Sequence, residues 1–129
     1  MYLLNGRRMW AVVAAVVGML AGVGSVGAQG KPDVEVTVAG IQYEGTKLWV
    51  PATIAVHEGD RVKVNLINKI PGDPAQHGWA IDAFKVVKVV NQGEPTSVEF
   101  VADKKGIFPI YCQLHPAHVG GQLIVLGKE

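Results

Sequence analysis

The sequence predicts an all-β domain, a Greek-key β-sandwich or barrel of about eight strands, on three observations. Apolar residues recur with period two in several short segments, clusters of turn-forming residues separate those segments, and no long segment carries the 3.6-residue period of an amphipathic helix. Short half-buried strands at such intervals close into sandwiches or barrels.

The first element of the chain is not a strand. Arg7 and Arg8 precede an apolar run from Met9 to Leu20, and small residues then lead to Val26, Gly27 and Ala28, the layout of an export signal cleaved after Ala28. A retained anchor is the alternative, because Met9 to Ala28 is just long enough to span a bilayer. The glycine-rich end is a poor helix and no basic stop-transfer cluster follows it, which favours cleavage. Residues 1–28 are therefore read as a signal peptide and residues 29–129 as one domain, periplasmic or secreted and free of the membrane after cleavage.

Strands are expected in order at 33–39, 47–56, 61–67, 79–82, 85–90, 96–102, 107–112 and 121–127. In the first, Val34, Val36 and Val38 alternate with Glu35 and Thr37; in the third, Val62, Val64 and Leu66 alternate with Arg61, Lys63 and Asn65. Residues 40–46 read as a loop or a short turn of helix. Glu58-Gly59-Asp60, Pro71-Gly72-Asp73-Pro74, Asn91 to Pro95 and Asp103 to Gly106 supply turns. The longest gap, 68–78, is stiffened by Pro71 and Pro74 and ends at His77, so it can present that side chain at little entropic loss.

Without Arg7 and Arg8 the mature part holds ten basic and eleven acidic residues. No clustered basic excess remains, so nucleic acid is excluded as a partner. The single cysteine, Cys112, excludes an intramolecular disulfide. In an oxidising compartment a lone thiol must be buried or bound.

The stretch YCQLHPAHVGG, residues 111–121, places Cys112, His115 and His118 within seven positions ahead of the last strand. A thiolate and imidazoles on one short loop are the donors that copper and zinc prefer. His77 is the natural fourth donor. A cysteine nucleophile with a histidine base fits poorly, since no oxyanion-type glycine loop or orienting carboxylate accompanies the pair. His57 reads as a surface residue in a turn, and Trp49 and Trp79 as core or rim aromatics.

Tyr-Cys-x-x-His-Pro-x-His-x-Gly-Gly before a terminal strand resembles the ligand loop of the cupredoxins, with the short spacing of the amicyanin type and His118 standing where that loop has its axial Met. "GWAIDAF" followed by "VADKKGIFPIYCQLHP" resembles the nitrosocyanin, or red copper, branch of that family, from about Val56 onward. The resemblance implies one copper ion per chain on His77, Cys112, His115 and His118, with His77 where the red branch has a glutamate. It implies a one-electron carrier that meets a redox partner protein, or else an open copper site that binds or transforms a small molecule such as nitric oxide. Zinc is the alternative metal, and a homotrimer is the assembly the red branch implies. Imidazole is a stronger donor to Cu(II) than a thioether, so His118 implies a lower potential and a red or green centre.

Overall fold

The structure is a computed structural model that describes residues 30–129. The expected signal peptide, or anchor, at residues 1–28 lies outside the described residues. Nine strands and one short 3-10 turn follow: β1 (Val34–Tyr43), β2 (Thr46–Val50), β3 (Thr53–His57), β4 (Arg61–Asn68), β5 (Gln76–Ile81), the turn Asp82–Phe84, β6 (Val86–Asn91), β7 (Thr96–Val101), β8 (Gly106–Ile110) and β9 (Gly121–Leu126). Among the described residues no helix is long and apolar enough to cross a membrane.

One layer is a four-stranded sheet in the order β2-β1-β4-β7, with β1 parallel to β4 and the other neighbours antiparallel. The second layer holds β3-β9-β8, with β3 parallel to β9, and the β5–β6 hairpin joins it through an antiparallel bridge between Ala80 and Tyr111. Period-two alternation places every second residue inward. Strand β4 shows this most plainly, since Val62, Val64, Leu66 and Asn68 are buried while the residues between them are half-exposed. Between the layers Val38, Val56, Leu66, Trp79, Ile81, Val90 and Leu123 are buried. The all-β sandwich expected from periodicity is the observed architecture.

Three boundaries differ from expectation. The segment 47–56 is two strands, because Pro51 offers no N–H to a ladder and restricts Val50 before it. The chain leaves one sheet at Val50 and enters the other at Thr53, so β2 and β3 lie in different layers. Residues 40–43 continue β1, and a tight turn at Glu44 and Gly45, with φ of 46° and 80°, leads directly into β2. Strand β5 begins at Gln76 rather than at 79, which places His77 and Gly78 in a ladder opposite Val90 and Val89.

Candidate metal centre

His77, Cys112, His115 and His118 converge at one end of the sandwich, with one donor atom from each lying within 4.8 Å of the others. A tetrahedral site with bonds of about 2.0–2.3 Å has donor–donor edges of about 3.3–3.8 Å, so a slight contraction of the four would close on an ion. The three residues singled out by their spacing and His77, at the end of the proline-stiffened segment, are thus the four the fold brings together. Among the described residues no other cluster of this kind is present.

Each donor is placed by its own local structure. Cys112 follows the last ladder pair of β8's extension, where Ala80 and Tyr111 exchange backbone hydrogen bonds of 2.9 and 3.1 Å. The connection then makes two successive turns: His115 N–H donates to the Cys112 carbonyl at 3.3 Å and His118 N–H to the His115 carbonyl at 3.0 Å. A step of three residues per turn stacks Cys112, His115 and His118 on one side of the loop. His115 Nδ1 lies 3.5 Å from Cys112 Sγ. At the loop's exit Val119 N–H donates to the Lys47 carbonyl at 3.1 Å, which pins the connection to β2.

His77 comes from the strand itself, and its side chain is fully buried. Asn68 braces the approach to it from the interior. Its Nδ2 donates to the carbonyls of Ala75 and Val90 at 3.1 and 3.0 Å, and its Oδ1 accepts from Ile70 N–H at 3.0 Å. The amide thereby ties the proline-bearing loop to the residue opposite His77. The imidazoles of His77, His115 and His118 pack with ring centroids 4.7–5.0 Å apart.

The electrostatics of His77 and His118 favour the metal-binding form. Burial pushes His77 down to about 4, with the neighbouring His118, His115 and Lys47 adding to the effect and the Pro74 carbonyl opposing it weakly. His118 is lowered by the same causes, burial first, then His115 and Lys47. Neutral imidazoles keep a lone pair free for coordination. Neither ring nitrogen of His77 completes a hydrogen bond, the Pro74 carbonyl being near enough to act on the ring without closing one. A buried polar atom left unpaired is destabilising by about 1–3 kcal/mol, and a metal ion is the partner this chemistry calls for. The residues present therefore fit a thiophilic, imidazole-binding ion.

Sequence reasoning missed the residues that brace the Cys112 sulfur. Gly78 N–H donates to Cys112 Sγ at 3.0 Å, and the Gly78 carbonyl accepts from Trp49 Nε1 at 2.9 Å. A Cβ on Gly78 would be driven into the side chain of Gln113, whose Nε2 donates to the Lys88 carbonyl at 3.1 Å. The glycine beside His77 was the available signal. Trp49 sits 29 residues away and offered none. His57 is on the surface, its backbone N–H bonded to Asp60 Oδ2 at 2.8 Å, and Trp79 is core.

A sequence profile described as a cupredoxin-like domain matches residues 10–125. A segment of 55 residues, 43% of the chain, is 44% identical to a nitrous-oxide reductase from Cupriavidus necator and covers 9% of that protein. The chain thus matches less than a tenth of that relative's length. Among solved structures, a copper nitrite reductase from Nitrosomonas europaea superposes with a TM-score of 0.62 at 21% identity, over 74% of this chain and 42% of that one. A copper binding protein in its apo form gives 0.56 at 23% identity, over 75% and 92%. The periplasmic domain of cytochrome oxidase subunit II from Bradyrhizobium japonicum gives 0.58 at 18%, over 77% and 88%. At these identities the structural likenesses establish the fold.

Proposed function

The chain belongs to the cupredoxin-like domain family, and from that membership we propose that it is an exported one-electron carrier holding one copper ion on His77, Cys112, His115 and His118. The observation that carries the proposal is the convergence of one thiol and three imidazoles whose innermost member, His77, has no partner for either ring nitrogen. Copper, when bound, supplies the one-electron chemistry. The protein supplies a donor set fixed by two sheets and two short turns, so little of it needs to move when charge changes. Imidazole and thiolate donors bind copper more tightly than the other divalent ions of the first transition row, zinc included.

His115 and His118 are partly exposed, whereas His77 and Cys112 are buried. Electrons therefore enter and leave on the loop side, where Leu114 and Val119 are 41% and 51% exposed beside exposed Pro116 and Ala117. A small apolar rim around an imidazole edge suits a transient contact with a redox partner protein, since brief encounters use small interfaces. The similarity to a periplasmic oxidase domain supports an exported location.

The partial exposure of His118 favours one second reading, a centre open to a small molecule such as nitric oxide on that side. One titration separates the readings. Cu(II) added to the metal-free protein is expected to saturate at one ion per chain with an intense thiolate-to-copper band, which Cys112→Ser abolishes. Azide or nitric oxide is expected to leave that band nearly unchanged in a carrier; a large shift would establish the open centre instead. Saturation by zinc with no stable copper band would overturn both.

A further inference from the structure

Gly78 lies where a strand is missing. The ladder between β5 and β8's extension ends at Ala80 and Tyr111, and the next residue facing outward from β5 would be Gly78 opposite Gln113. There the chain has already turned into the metal loop, so the backbone N–H and carbonyl of Gly78, which face away from its β6 neighbour Val89, have no strand on that side to pair with. Buried backbone groups must still be satisfied. The N–H goes to Cys112 Sγ and the carbonyl to the indole of Trp49. Two side chains thus replace one strand, one on each flank of the same Cα.

Glycine has no side chain with which to fix its own backbone, and its conformational freedom is the widest of any residue. Trp49, by contrast, is held firmly. It is 5% exposed, sits in β2 opposite Gly40, and lays its ring across that glycine so closely that a Cβ there would meet Trp49 Cζ3 at 3.1 Å. Gln113 covers the Gly78 Cα from the other face, tied to Lys88. We propose that Trp49 is a positioning residue for the thiolate: its indole N–H fixes Gly78 so that the glycine N–H stays aimed at Cys112 Sγ.

The consequence is electronic as well as geometric. A hydrogen bond withdraws charge from a thiolate and stabilises its filled orbitals, and partners outside the ligand set tune a metal in this way. Loosening Gly78 lengthens that bond, leaves the sulfur richer in charge, and favours the oxidised metal. The inference rests on the reading of Cys112 as a copper ligand and deepens it.

The test replaces Trp49 in the full chain with 3-benzothienyl-alanine, which keeps the ring's shape and lacks the N–H, and separately makes Trp49→Phe. Each protein is loaded with Cu(II), and the thiolate-to-copper band, the reduction potential and the thermal midpoint of the metal-free form are measured. The isostere is expected to move the band to longer wavelength and lower the potential, with Trp49→Phe shifting both in the same direction. If the parent protein shows the band and the isostere's band and potential coincide with the parent's, the positioning role is overturned while the copper site stands. If the parent shows no such band, the copper reading itself fails and this role falls with it. The isostere preserves packing, so its result stands even where Trp49→Phe folds poorly.

Discussion

His77 is a residue whose presence makes little sense for folding alone. A fully buried imidazole with both nitrogens unpartnered opposes the native state, so removing it should help the metal-free fold. His77→Leu is expected to stabilise the metal-free protein by about 1–3 kcal/mol, read by chemical denaturation, while abolishing tight copper binding. A loss of stability in that variant would mean that the imidazole is satisfied by something other than a metal. The donors were legible in the sequence because three of them crowd into seven positions and the fourth ends a segment stiffened by Pro71 and Pro74. Trp49 and Gln113 were not, because what they do depends on contacts with Gly78 from 29 and 35 positions away, and a hydrogen bond to a backbone carbonyl leaves no trace in residue type.

At the scale of the elements, period two was legible wherever one face met water. Strand β4 was read nearly to the residue for that reason. Strand β5 begins three residues before the expected 79, because His77 to Ile81 are buried on both faces and show no alternation to read. The apolar run 47–56 hid a change of sheet, since both halves look alike once Pro51 is overlooked. The return into β9 depends on a close approach that only glycine permits: a Cβ on Gly121 would be driven into the Ala52 carbonyl, a backbone atom that cannot swing aside. Gly121→Ala is therefore expected to destabilise the protein by on the order of 2–4 kcal/mol. Gly127→Ala, whose Cβ would meet only the Lys105 side chain at 3.8 Å, should change the denaturation midpoint little. Equal effects at the two positions would remove the backbone clash as the explanation.

For the whole molecule, the depressed histidines couple stability to pH. His77 titrates near 4 in the fold and at 6.5 when unfolded, so between those values the unfolded chain binds more protons and stability rises with pH. The contribution is fully present above about 6.5 and is lost as pH falls toward 4, and His118 acts in the same direction. The metal-free protein should lose on the order of 2–3 kcal/mol across that window from His77 alone. Denaturation curves at several pH values check this, and His77→Leu should flatten the slope. A slope unchanged by that substitution would assign the pH dependence to other groups.

The pinning of the last loop to β2 has a further consequence for the centre as a portable part. All four donors fall within residues 77–118, and a peptide of 76–129 would contain every one of them. It would lack Trp49, the Lys47 carbonyl that holds Val119, and β3, along which β9 runs in parallel. Such a fragment carries the ligands without the frame, and would wrap an ion as a flexible chelator does, letting the metal choose the shape. Transplanting this centre into another protein means moving an edge strand from the far end of the chain together with the loop.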